Sequence, residues 1–170
     1  MEEKIMGKIQ KATTIDIKKA CTFTGHRPER LALPEEQVIA FIKEQVKKAI
    51  EDGYTCFISG MQRGVDIWAA EAVLEERKNG HDLKLVAACS FEGMERSWDL
   101  EWIKRYNRIL READGVYFIG DYPSRAAHFM RDDWLVDHAS RLIAVYTGAP
   151  GGTKHTMEYG VKKGLEVIRI

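Results

Sequence analysis

The sequence predicts an α/β fold: a doubly wound, mostly parallel sheet with helices on both faces, in a single domain. Three observations predict it. Short apolar, β-rich runs alternate with stretches of helical periodicity along most of the chain. The helical stretches are long enough to serve as crossovers between parallel strands. Glycines, hydroxyls and charges gather where strands pass into helices, whereas Asp52-Gly53, Asn79-Gly80 and Gly164, at the opposite connections, read as plain helix caps.

Residues 1–19 mix charges with weakly alternating isoleucines and are left as an unassigned N-terminal extension. The domain is placed at residues 20–170. Ala20 to Thr24 is the first strand, broken by Gly25-His26-Arg27-Pro28. Pro34 stands where a helix begins, and Val38, Phe41, Ile42, Val46, Ala49 and Ile50 carry helical spacing from Glu35 to Asp52. Tyr54 to Ser59 is the second strand. The helix after it puts Val65, Trp68, Ala69, Ala72 and Val73 on one face and ends near Asn79-Gly80.

Leu83 to Ala88 is the third strand. Ser97 is the expected N-cap of a helix running to about Glu112, with Trp98, Trp102, Tyr106, Ile109 and Leu110 as a core or interface stripe. Gly115 to Ile119 forms the fourth strand and Arg125 to Asp137 the next helix. Leu142 to Tyr146 is the fifth strand, followed by Gly148-Ala149-Pro150-Gly151-Gly152-Thr153, a helix from Lys154 to Lys163, and a last strand from Glu166 to Ile170.

The totals bound the function. With 170 residues, 26 Lys and Arg against 26 Asp and Glu, and 45% hydrophobic residues, the chain has ordinary globular composition. Zero net charge weighs against a protein that works by neutralising many nucleic-acid phosphates. No apolar run reaches membrane-spanning length and residues 1–19 hold no apolar signal core, so a cytoplasmic protein is expected. Cys21, Cys56 and Cys89 fall in separate strands and read as buried thiols; no metal-ligand spacing and no cofactor motif is present.

Two turns carry the binding chemistry. Ser59-Gly60-Met61-Gln62-Arg63-Gly64-Val65-Asp66 joins a strand to a helix N-terminus, where unpaired N–H groups suit an anion. The Pro150-Gly151-Gly152-Thr153 turn allows a concave nest of amides, with Thr153 and Thr156 as hydroxyl donors. Neither matches a Walker loop or Gly-x-Gly-x-x-Gly. Arg27 and Arg63 could pair with phosphate, Asp66 could accept ribose hydroxyls, and His26 and His155 sit close to turns. Glu158 is the candidate general base, while His81, His128 and His138 carry no discernible signal.

Thr24-Gly25-His26-Arg27-Pro28, Ser59 through Glu71, and Gly151-Gly152-Thr153 together resemble the YpsA-like family of the SLOG superfamily, which also groups DprA and the LOG phosphoribohydrolases. The resemblance runs from about Cys21 to the C-terminus. It implies a Rossmann-like fold and a pocket for a nucleotide-derived small molecule such as an ADP-ribose or NAD-related compound. That pocket would be lined by Gly25, His26, Arg27, Ser59, Gly60, Arg63, Gly64, Asp66, Gly151, Gly152, Thr153 and Thr156. It also implies a sensor or adaptor in bacterial division or stress, with a homo-oligomer or a protein partner left open.

Two relatives imply alternatives. A LOG-like nucleoside monophosphate phosphoribohydrolase would use Glu158, but Lys154 and His155 replace the Gly-Thr of the LOG pattern. A DprA-like reading would make the protein bind single-stranded DNA.

Overall fold

The computed structural model describes residues 10–170. The strands are β1 (Ala20–Gly25), β2 (Cys56–Ser59), β3 (Lys84–Cys89), β4 (Gly115–Phe118), β5 (Arg141–Val145) and β6 (Glu166–Arg169). They form one six-stranded sheet in the order β4-β3-β2-β1-β5-β6, with every neighbouring pair parallel. The helices are α1 (Glu35–Glu51), α2 (Val65–Lys78), α3 (Leu100–Glu112), α4 (Arg125–Asp137) and α5 (Gly152–Lys162).

The two faces have separate cores. Val38, Ile42 and Val46 of α1, Ile67 and Val73 of α2, and Tyr106, Ile109 and Leu110 of α3 pack on one side with Phe23 and Phe57. On the other side Leu135 and the partly buried Trp134 of α4 lie against Ile58, Val86 and Ala88. Alternate residues of each strand therefore feed opposite cores, and the strands are apolar on both faces, as a covered parallel sheet requires. Burial pushes the thiols of Cys56 and Cys89 up to about 11 and about 12, so the cysteines are packing groups.

The predicted elements are present; the other strand ends move by a single residue, and three boundaries shift for identifiable reasons. Strand β2 begins at Cys56 rather than Tyr54, because Tyr54 N–H still bonds to Ala49 O in the cap of α1. Helix α3 starts at Leu100, after Asp99, and Ser97 is not its cap; residues 90–98 form a run of turns instead. Helix α5 begins two residues early, at Gly152, because the Gly151 backbone, at φ 140°, turns directly into it.

Residues 1–9 lie outside the described residues. Lys11 forms an isolated antiparallel bridge with Val116, and its ammonium donates to the carbonyls of Leu110, Arg111 and Ala113 at 3.1, 3.0 and 3.1 Å. The segment thus covers the β4 edge and neutralises the carboxyl end of α3. Among the described residues no helix is long and apolar enough to cross a membrane.

Candidate functional site

Strand order reverses between β1 and β5, so the connections leaving their carboxyl ends part to opposite faces and open a crevice. Gly25, His26 and Arg27 leave β1 on one side of it; Gly151, Gly152 and Thr153 enter α5 on the other. A cavity of about 270 Å³ lies between them, with Asp66, Arg131 and Asp132 in its lining. A second hollow, of about 380 Å³, adjoins it and shares Arg27, Gln62 and His128.

The floor is a buried charge cluster. Arg131 Nε donates to Asp132 Oδ1 at 2.7 Å, and Arg131 Nη1 donates to the Gly60 carbonyl. Asp66 is 7% exposed. Its Oδ2 accepts the Gln62 N–H at 3.2 Å, while its Oδ1 has no hydrogen-bond partner among the described residues. Burial pushes the Asp66 carboxyl up to about 6, against the opposing pull of the Arg131 charge. A carboxylate with an unpaired oxygen beside a polar cavity retains unused acceptor capacity.

The two glycine turns differ in what they offer. The turn after β2 is closed on itself: Ser59 Oγ accepts the Met61 N–H at 3.1 Å and donates to the Asp66 carbonyl at 2.7 Å. Gly64 holds φ 94°, and a Cβ there would come within 2.9 Å of Pro28 Cδ, so the 26–28 segment covers this helix end. The turn presents Gln62 and the Asp66 carboxylate to the cavity, rather than a nest of amides. The N-terminus of α5 has no side-chain cap instead, although Asp132 Oδ2 stands beside it, 3.4 Å from where a Cβ on Gly152 would lie. Gly151 precedes it, leaving first-turn N–H groups for an anion.

The remaining predicted residues divide accordingly. His26 lines the cavity but is engaged with Thr147 across the crevice. Arg27 lines both hollows, is exposed, and makes no ion pair among the described residues. Arg63 faces the second hollow and is held by Glu29 through bonds of 2.7 and 3.3 Å. Gly60 lies at the floor, where a Cβ would come within 2.9 Å of Asp66 Oδ2. Thr153 is buried in the lining; Thr156 is buried and returns its hydroxyl to the Gly152 carbonyl at 2.8 Å.

Glu158 stands on the exposed face of α5, 3.7 Å from Lys154, and lines neither hollow. His155 pairs with Asp133 at 2.9 Å, also outside them.

Sequence reasoning missed Arg131, Asp132 and His128. All three sit on α4, in a sequence that reads as an ordinary amphipathic helix. The available signal was the adjacent Arg-Asp pair, Arg131-Asp132, followed by Leu135 and Val136 on a helix otherwise committed to packing. Arg30 and Arg125 also reach the rim, and like Arg27 they make no ion pair among the described residues.

A parallel sheet with its crevice at the reversal point defines an open α/β domain of the Rossmann-like class. Within that class the chain belongs to the YspA SLOG family (YpsA), which it matches over residues 21–166. It is 30% identical over 155 residues to a UPF0398 protein of Bacillus thuringiensis, a match covering 86% of this chain and 84% of that one. A UPF0398 protein of Bacillus cereus is similar to the same extent.

Among solved structures, the chain resembles DNA processing protein A (DprA) of Streptococcus pneumoniae, with a TM-score of 0.66 and 17% identity. The match covers 89% of this chain and 50% of the other, so the chain spans about half of that protein. DprA of Helicobacter pylori, described for its single-stranded DNA binding mode, gives 0.62 at 15% identity over 88% of this chain and 64% of the other. The structural-genomics target TM1055 gives 0.57 at 17%, covering 88% and 72%. These likenesses establish the fold.

Proposed function

We propose that this protein binds a nucleotide-derived small molecule in the crevice between β1 and β5, acting as a sensor or adaptor. One observation carries the reading: Asp66, a buried acid whose Oδ1 has no partner among the described residues, lines a cavity that the uncapped N-terminus of α5 also lines. A carboxylate accepts the hydroxyls of a ribose, and a helix N-terminus takes a phosphate. Arg27, Arg30 and Arg125 at the rim add cations where such a ligand would enter.

The hydrolase reading draws less support, because its catalytic assignment rests on Glu158, a solvated helix acid paired with Lys154. The test is calorimetry with ADP-ribose, NAD and AMP on wild-type protein and on Asp66→Asn. Binding to at least one compound, weakened in the variant, is expected. Silence across the three with circular dichroism intact overturns the reading.

A second reading has one specific observation behind it. The arginine rim is exposed, and a fold neighbour is described as binding single-stranded DNA. Retention of an oligonucleotide that falls steeply with salt and is lost on combined Arg27→Ala and Arg125→Ala substitution would favour it.

A further inference from the structure

The Asp66 cavity is one half of a longer cleft. The second hollow is walled by Phe91, Met94 and Trp98 from the turns between β3 and α3. These aromatic groups are fixed in place. Trp98 packs edge-on against the buried Tyr106 at 5.5 Å and 88°, and Phe91 meets His128 at 5.5 Å and 65°. His128 is itself held by Ser90 Oγ at 2.8 Å from Nδ1. The Trp98 end of the stripe expected to be core or interface is thus partly exposed and faces a hollow.

Polar groups make up the rest of the lining: Arg27, Gln62, Arg63, Ser97, Asp99 and His128. Asp99 precedes α3 without using its carboxylate to cap it, and Ser97 stands beside it. Aromatic walls with a free carboxylate and a hydroxyl complement a planar heteroaromatic ring bearing N–H donors. At the neck between the hollows stands Arg27, exposed and without an ion pair among the described residues.

We propose that the cleft takes a two-ended ligand: a nucleobase between Phe91 and Trp98, a pyrophosphate passing Arg27, and a second ribose on Asp66. This rests on the proposed function and deepens it, because a ribose phosphate alone fills only the Asp66 half. Three chemically distinct regions lie in the order base, anion, diol, which is the order of groups along a pyrophosphate-linked dinucleotide. Asp99 supplies the acceptor for an exocyclic amine, and the α5 N-terminus takes the phosphate nearer the far ribose.

Calorimetry on the full chain with ADP-ribose and with ribose 5-phosphate tests it. ADP-ribose is expected to bind at least about tenfold more tightly, the order contributed by one stacked base. Phe91→Ala is expected to reduce ADP-ribose affinity by about tenfold and leave ribose 5-phosphate unchanged. Trp98→Phe keeps the packing on Tyr106 and most of the affinity, but removes the fluorescence quenching that ADP-ribose produces in the wild type.

Equal affinities for the two probes, or a parallel fall for both in Phe91→Ala, overturn the two-ended assignment and leave the proposed function standing. Quenching that persists in Trp98→Phe also overturns it. Binding of neither probe removes both proposals together.

Discussion

His26 Nε2 accepts the Thr147 N–H at 3.2 Å and lies 3.0 Å from the Thr147 hydroxyl, tying the chain leaving β1 to the chain leaving β5. The bond needs Nε2 unprotonated, so the ring is neutral with its proton on Nδ1. Burial, reinforced by the Arg30 charge, holds the His26 pKa below its ordinary value. His26 is therefore a clasp across the crevice.

Removing that clasp leaves a part-buried amide without its acceptor, and His26→Ala is expected to cost about 1 kcal/mol at about pH 8. The folded pKa lies below the unfolded value of about 6.5, so the unfolded chain takes up the proton first. The contribution is present above about pH 6.5 and is lost as pH falls through the folded value. Urea denaturation of the two proteins, both in an Asp66→Asn background, should show a penalty that shrinks at about pH 5. An equal penalty at both values would contradict a neutral clasp.

Asp66 has the opposite sign. Its folded value of about 6 lies above the ordinary carboxylate value of 3.8, so the fold favours the protonated form. Its contribution is full below that ordinary value and is lost as pH rises through about 6. Asp66→Asn is expected to stabilise the free protein by roughly 1–3 kcal/mol at about pH 8, with the gain gone near pH 4. In the wild type, ligand affinity should rise through the same transition, because the ionised carboxylate is the stronger acceptor. A variant that is more stable yet binds weakly is the mark of a strained binding group. Chemical denaturation and calorimetry across pH read the two halves separately.

The two candidate arginines should separate. Arg27 makes no ion pair among the described residues, whereas Arg63 is held by Glu29 at 2.7 Å, and that pairing draws the Glu29 carboxyl below its usual range. A charge-assisted bond to ligand phosphate is worth about 1.5–3 kcal/mol, so Arg27→Ala should weaken ADP-ribose binding by roughly tenfold or more. Arg63→Ala should change it by less than about threefold, because breaking an exposed pair costs little. Comparable losses in both variants would mean that Arg63 leaves Glu29 when ligand enters.

The sheet, its crevice and the glycine-bearing edge were legible in the sequence because strand and helix periods differ, and because loop residues at strand exits need not serve packing. Gly25, Asp66 and Gly152 fall on the cavity for that reason. What periodicity cannot reveal is which turn spends its polar groups on itself. Ser59 and Thr156 have hydroxyls consumed by local backbone, and Arg63 is consumed by a residue 34 positions away. Nor does it identify a helix residue that reaches another strand's exit: Arg131 arrives beneath Gly60 only because the crossover from β4 to β5 carries α4 back across the sheet. The sign of a site residue's contribution to stability is likewise a tertiary property, since the local sequence around Asp66 fits an ordinary first-turn acid.

Arg131 supplies the last test, because it holds together groups that would otherwise repel. It is buried, donates to Asp132 and to the Gly60 carbonyl, and its charge opposes the rise of the Asp66 pKa. Arg131→Met would leave two buried carboxylates facing each other and a carbonyl without its donor, a loss expected to cost about 3–5 kcal/mol at about pH 8. Without the guanidinium the Asp66 value should climb above 6, so lowering the pH should protonate it and recover part of the loss. Adding Asp66→Asn removes one of the stranded charges. The double variant should therefore be less destabilised than the two single effects predict, with a coupling of about 1–3 kcal/mol. Urea midpoints for the four proteins at about pH 8 close the cycle. Strict additivity would show that Arg131 serves Asp132 and Gly60 alone, and that Asp66 owes its pKa to burial without electrostatic restraint.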